Sequence, residues 1–394
     1  MMKFTMDAKE LKTIMEKGIA AINKKAALSC LTKIYLQVEV DGTLKVLGTD
    51  MEHYAEIRSN SAYNTSPGVL GMDIDDMKVI SKMSGEITLE DVSTENEPKI
   101  NLKCGKKVVS ILKYYNVDTF LPSMDDTEEY ILTLKESWLL ETITNLFAFT
   151  ADEGNPNKML TVFHFNTVDK RVEALDAHRI GMRTLEDQEI IREAKTPFEN
   201  VLLLNKCVPV FKKIMDKKSD AEVKVYQDKK YVRIEGENFT YIIRRVEGEY
   251  FKVNQLLTND RDYTFAPDRK NMLDVLKYIC DLKNDSAKPK PVVFHGEDGK
   301  LYTYIKTMRY EVLDQVEADD ITMDGELYVG FNPQYLLDIF NIVDVDNPLC
   351  RGRNNNKYPL FVDGNEYSFM VLPVHLEADD RTRMKDHIEK DRVA

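Results

Sequence analysis

The sequence predicts an α+β protein of three successive domains, each carrying two helices packed on antiparallel sheets. Three observations predict it. First, three stretches about a third of the chain apart alternate apolar and polar residues, two of them opening on Asp-Gly: "DGTLKVLGTDMEHYAEI" (41–57), "DKRVEALDAHRIGMRTL" (169–185) and "DGKLYTYIKTMRYEVLDQV" (298–316). Second, each third closes on a strand pair around a turn: "KINLKCGKKVVSILKYY" (99–115), "YVRIEGENFTYIIRRVEG" (231–248) and "YPLFVDGNEYSFMVLPVHL" (358–376). Period-two alternation broken by Gly, Asn and Asp is the mark of antiparallel hairpins. Third, two amphipathic helical stretches fall in every third.

In chain order, those stretches are 6–22 and 73–83, then 137–151 and 204–218, then 268–284 and 332–343. In the first, Leu11, Ile14, Met15 and Ile19 recur at the spacing of one helix face. Asn332 before Pro333 reads as an N-cap followed by proline at the first helical position. Polar, turn-rich joins at "LPSMDDTEEY" (121–130) and "LLTNDRDYTFAP" (256–267) separate the thirds. The expected domains are therefore 1–126, 127–257 and 258–376, with a charged C-terminal tail at 377–394 that is either exposed or a short surface helix. Three unrelated α+β domains of similar size would show the same periodicity.

With 394 residues, 43% apolar and 31% charged, the chain has the composition of a soluble globular protein, and no apolar run nears the roughly 20 residues a membrane span requires. Its N-terminus lacks the apolar core of a signal peptide. Five scattered cysteines, none in a CxxC pair, suit reduced thiols and a cytoplasmic location. The net charge of −13 argues against a protein that coats nucleic acid, but not against one that gathers lysines on a single surface. Nucleotide-binding, zincin and serine-hydrolase motifs are absent, so no cofactor is expected. Asp176, His178 and His164 could serve as metal ligands in a hydrolase. Residues two apart on a strand share a face, however, so that spacing arises readily by chance.

Five segments, in order, resemble the bacterial DNA polymerase III beta subunit, the replicative sliding clamp. The opening through the turn Gly48, Thr49, Asp50 and Glu52 is similar to that family's start. "ALDAHRIGMRTL" resembles its A-T-D-x-H-R-L segment, and "RRVEGEYFKVNQLL" (244–257) its join between domains. "VGFNPQYLLDIFNIV" (329–343) and "MVLPVHL" (370–376) resemble its last helix and closing strand. The resemblance implies a DNA clamp fold whose homodimer closes a six-domain ring. Such a ring is non-catalytic: it encircles double-stranded DNA and tethers the replicative polymerase (the polymerase III alpha subunit), the clamp loader and repair proteins.

Carried over residue by residue, the resemblance implies a peptide-binding cleft of Leu175, Ala177, His178, Arg179, Ile180, Phe251, Gln255, Leu256, Tyr335, Met370, Leu372, Pro373, Val374, His375 and Leu376. In it Arg179 and His178 are expected at the pocket rim, with Tyr335 as a gate. DNA-facing candidates are Lys9, Lys12, Lys24, Lys25, Lys78 and Lys82, then Lys206, Lys212, Lys213 and Lys217, then Arg269, Lys270 and Lys277. The expected dimer contact joins Val109 and Ile111 to Ile279 and Leu282. Departures from the family pattern include Phe251 for proline, Gln255 for arginine, His375 for a longer base, and Lys158 or Met159 at the pocket. The 18 residues after Leu376 are expected to cover part of the cleft. Rival readings are a clamp-like adaptor that does not load on DNA, the hydrolase, and a ring of other stoichiometry.

Overall fold

The computed structural model describes residues 1–114, 124–185, 190–193, 201–258, 260–282, 290–297, 299–323, 326–354, 357–376 and 378–393. Residues 115, 121–123, 259, 283–284 and 298 of the expected segments, and both ends of the tail, lie outside these. Two compact units emerge, one of Met1–Thr144, Phe165–Asp169 and Leu185–Gly248, the other of Asn145–His164, Lys170–Thr184 and Glu249–Ala394.

The helices are α1 (Ala8–Gly18), α2 (Met77–Ile80), α3 (Glu136–Leu146), α4 (Val208–Ile214), α5 (Arg269–Asp281), α6 (Pro333–Ile342) and α7 (Ala378–Val393). Among the described residues, and setting aside 3-10 turns, one order recurs three times before α7: strand, helix, five strands, helix, three strands. Caps fix the helix starts. Asp7 accepts the N–H groups of Lys9 and Glu10 ahead of α1, and Asn332 accepts that of Gln334 ahead of α6, where Pro333 takes the first position as expected. The helices are shorter than their periodic stretches, the second and fourth by half or more. The second stretch forms a 3-10 turn at Ile74–Asp76 and a single α-turn, and α4 stops at Ile214, where Glu136 takes the N–H of Asp216 at 2.6 Å.

In the first unit a nine-stranded sheet runs in the order Ile190–Glu193, Glu129–Lys135, Glu222–Gln227, Tyr231–Glu235, Phe239–Arg244, His53–Ser59, Leu44–Thr49, Lys33–Val38 and Gly68–Asp73. It is a composite. The first five strands come from the second repeat and the last four from the first, joined where Phe239–Arg244 pairs antiparallel with His53–Ser59. The second unit repeats the device: Tyr367–Val371, the last strand of the third repeat, pairs with Arg179–Thr184 of the second.

Each junction thus sets the closing strand of one repeat against the third of the five central strands of the repeat before. Among the described residues, two half-sheets have no such neighbour. The five-stranded sheet of the first repeat ends on Lys107–Leu112, and the four-stranded sheet of the third repeat ends on Glu311–Val316.

The four expected dimer residues differ in exposure. Ile111 pairs with Ile100 on the inner face and is buried, and Val109 opposite Leu102 is half-buried. Because side chains alternate across a strand, Val108 and Leu112 face outward instead, 56% and 50% exposed. On α5, Ile279 is buried, as are Met272, Val275 and Leu276; Leu282, just past the helix, is half-buried.

Of the two expectations for the tail, the surface helix is the one the structure shows. The tail forms α7, whose Met384 and Ile388 are buried with Val293, Tyr302, Tyr304 and Leu376, with Leu313 and Tyr328 alongside. Glu326 takes Arg381 and Lys385, each at 2.9 Å, and Glu311 takes His387 at 3.2 Å. α7 therefore docks on the four-stranded sheet by one short apolar stripe and a ring of charge. Replacing Met384 and Ile388 by alanine should undock it before the rest unfolds, read as faster tryptic cleavage after Arg381, Arg383 and Lys385 at an unchanged main thermal transition.

Candidate functional site

The Asp-x-His-Arg segment and the closing segment, nearly 200 residues apart in sequence, are neighbouring antiparallel strands. Arg179 stands opposite Val371 and Ile180 opposite Met370, and the Leu372 N–H donates to the His178 carbonyl at 2.8 Å. All the residues expected to line the cleft belong to the second unit.

Asp176 is the turn residue of its hairpin. One carboxylate oxygen accepts the N–H groups of His178 and Arg179 at 2.9 and 3.0 Å, holding Ala177 at φ 77°, a conformation costing about 1 kcal/mol for a residue with a Cβ. The first repeat has the same turn: Asp50 accepts from Glu52 and His53, both at 3.0 Å, with Met51 at φ 75°. In the third repeat the Thr307 hydroxyl accepts from Arg309 and Tyr310. The charge set that resembled catalytic machinery is thus one copy of a repeated turn.

Arg179 is not a rim group, as expected from the sequence, but a buried pin, 7% exposed. Its guanidinium donates to Asp176 at 2.9 Å, to Asp338 of α6 at 2.6 Å and to the Ala148 carbonyl, and lies over the Tyr335 ring at 4.2 Å and the Phe149 ring at 5.0 Å. Strand, 3-10 turn and α6 are tied at that point. Gly181 is required beside it, since a Cβ there would meet the Phe149 ring at 2.8 Å. His178, by contrast, is exposed and stacks near Tyr335, with ring centroids 6.1 Å apart.

The remaining cleft residues divide into wall and surface. Leu175, Ile180, Met370 and Leu376 are buried, whereas Phe251, Leu256 and Leu372 are large apolar side chains left open to solvent. Pro373, Val374 and Met159 are half-buried, and Ala177 and Gln255 exposed. Lys158 turns back to the Glu153 carbonyl at 2.6 Å. His375 lines a cavity of about 280 Å³ with Lys290, Lys306 and Arg383 of α7. Under Phe251, Tyr250 is buried against the His164 ring, and Glu173 accepts from Arg171 and pairs with His164 at 2.7 Å.

The proposed metal ligands are dispersed into these partnerships: Asp176 holds its turn, His164 is paired with Glu173, and His178 faces solvent. Among the described residues no group of three or more His, Cys, Asp or Glu side chains is placed to hold a metal ion.

Of the expected DNA-facing residues, two are committed elsewhere. Lys206 binds Asp50 at 2.6 Å and also Glu52, while Arg269 donates to the Phe340 and Asn341 carbonyls at the end of α6, where a cation complements the helix dipole. Lys9, Lys24, Lys25, Lys82, Lys212, Lys213, Lys217, Lys270 and Lys277 are exposed. Lys78 pairs with Asp75 at 2.9 Å and Lys12 with Glu16 at 3.8 Å, both on the surface.

No family model matches the chain. Curated relatives do: the beta sliding clamp of Lactococcus lactis is 24% identical over 392 residues, covering 94% of this chain and 98% of the relative. That of Escherichia coli K12 is 21% identical over 356 residues, covering 88% and 92%. The DNA polymerase sliding clamp of Bacillus subtilis superposes with a TM-score of 0.84 at 17% identity, over 95% of this chain and 100% of the other, and that of Pseudomonas aeruginosa with 0.83 at 18% over the same shares. The architecture is the sliding-clamp fold. Within that class, this chain is similar along nearly its whole length to bacterial beta sliding clamps, at 21 to 24% identity.

Two outcomes follow from the turn residues. Arg179→Ala strands two acids in a partly buried site and should lower unfolding free energy by about 3 kcal/mol. Arg179→Lys should recover less than half, because a lone ammonium cannot serve three partners, as urea midpoints would show. Burial of Asp50 raises its pKa, but hydrogen bonds from His53 and Lys206 outweigh burial and hold the carboxyl below its usual range. A carboxylate depressed on folding stabilises above its unfolded pKa and loses that contribution as pH falls through the folded one. Asp50→Asn should therefore flatten the decline in stability below about pH 4.

Proposed function

We propose that this chain is a sliding clamp: a ring that encircles duplex DNA, performs no chemistry, and tethers a polymerase through a short peptide held in the cleft of the second unit. The observation that carries the reading is the threefold element order, in which two sheet junctions are closed inside the chain and one closing strand and one receiving strand remain. Full-length similarity to beta sliding clamps supports it. The division into domains 1–126, 127–257 and 258–376 follows the same repeat.

A second copy, joined head to tail, supplies both missing partners and removes both open edges. The two internal junctions also supply the register. Phe239 faces Ile57 in one and Tyr367 faces Arg183 in the other. Phe239 and Tyr367 each hold the hairpin position of Lys107, and Ile57 and Arg183 each lie four residues past His53 and Arg179, as Asp314 lies past Tyr310. Applied between copies, the rule sets Lys107 opposite Asp314 and Val108 opposite Leu313, a charge pair next to an apolar pair.

Exposed lysines such as Lys24 and Lys25 meet phosphates without reading sequence, which permits sliding. Phe251, Leu256 and Leu372 beside the Arg179 pin form the apolar anchor site for peptides from the polymerase, the loader and repair proteins. No helix among the described residues is long and apolar enough to cross a membrane. The site of action is the cytoplasm, with the DNA.

Loaded by a cognate loader, the chain should stay on nicked circular plasmid and leave once the plasmid is linearised; stable peptide binding without retention would favour an adaptor. Light scattering should give twice the monomer's 45.5 kDa. Lys107→Asp should shift the protein to monomer, and adding Asp314→Lys should restore the dimer.

A further inference from the structure

The exposed pair Val108 and Leu112 stands on the outer face of a sheet whose other residues at that edge are polar: Lys103 lies opposite Val108 and Lys99 opposite Leu112. Large apolar groups left open on an edge strand call for a cover.

In the register above, residues directly opposite in an antiparallel pair share a face. Val108 shares its face with Leu313, and Ser110 with Glu311; Leu112 continues the row. Leu313 and Glu311 are also edge residues that meet α7, the first packing beside Met384 and Ile388 and the second pairing with His387 at 3.2 Å. α7 therefore lies on the face, and at the edge, where Val108 and Leu112 of a second copy arrive.

The first internal junction shows how such a face is completed. There Tyr35, Leu47 and Tyr54 of the first repeat form a buried cluster with Ile242 from the strand of the second repeat, and Met124 packs on it from outside. By hairpin position Val293 and Tyr304 match Tyr35 and Leu47, and Ser110 matches Ile242. The cluster at the open end has its own repeat's half and, from α7, a cover; it has no contribution from a following strand.

We infer that α7 is an interface element: it forms a shelf beside the Glu311–Val316 edge that covers Val108 and Leu112 of a second copy of this chain. The inference rests on the head-to-tail reading and adds to it an apolar contact outside the strand pair itself. Ordinary edge pairing then accounts for the backbone bonds, and α7 accounts for two side chains that the strand pair alone would leave half in water.

The test is a cycle in the full chain. Dimer dissociation constants are measured by sedimentation equilibrium for the native chain, for Val108→Ala with Leu112→Ala, for Met384→Asp with Ile388→Asp to undock α7, and for all four together. Each pair of changes should weaken the dimer at least tenfold, and the second pair should add less than threefold to the first. Tryptic cleavage within α7 of the native chain should also slow as concentration rises through the dissociation constant. If the two pairs multiply independently, or cleavage is equally fast in monomer and dimer, the shelf is overturned while the head-to-tail dimer stands. A chain that stays monomeric at every concentration overturns both.

Discussion

The structure depends on one constraint: a β-strand's backbone donors and acceptors must find partners, and a row of them left open recruits another strand. Within this chain the second and third repeats meet the constraint by passing their closing strands to the sheet of the repeat before. The nine-stranded sheet of the first unit is therefore not a unit of sequence. It is a seam between repeats, and its buried outer cluster of Tyr35, Leu47, Tyr54 and Ile242 draws on both sides of that seam.

The same turn is rebuilt with different chemistry at three places. Asp50, Asp176 and Thr307 each accept two backbone N–H groups from the residues that follow, so the hairpin keeps its shape while the charge around it changes. In the first repeat the turn is braced by Lys206 and His53; in the second, Arg179 extends the brace to α6 and to two aromatic rings. A shared scaffold thus carries one position of purely structural charge and another beside exposed apolar residues, where a ligand can be held.

Much of this was legible in the sequence because it is written in periodicity. Asp-Gly openings and period-two alternation located the hairpins, and Asn332-Pro333 located the start of α6. Nearness of the Asp-x-His-Arg and closing segments followed from resemblance, and the register of Arg179 with Val371 bears that nearness out. What was not legible depends on which way a side chain turns. Val109 and Val108 are the same residue type one position apart, and only the pairing of Ile111 with Ile100 decides which faces inward. Arg179, Lys206 and Arg269 read as free cations until their partners, far away in sequence, were brought beside them. The helix of the tail was among the expectations, but its docking was hidden because the stripe is just Met384 and Ile388, a single i,i+4 pair amid charge.

Continuity of the sheets across successive repeats bears on how such a molecule would come apart. Within a chain, the linked repeats share strand ladders and apolar clusters, so separating them would mean tearing a core. In a ring closed by Lys107–Leu112 against Glu311–Val316, the intermolecular seam has short strands and no covalent link behind it. Opening is then a local unzipping confined to that seam, and whatever pries the ring apart needs to grip only one short ladder.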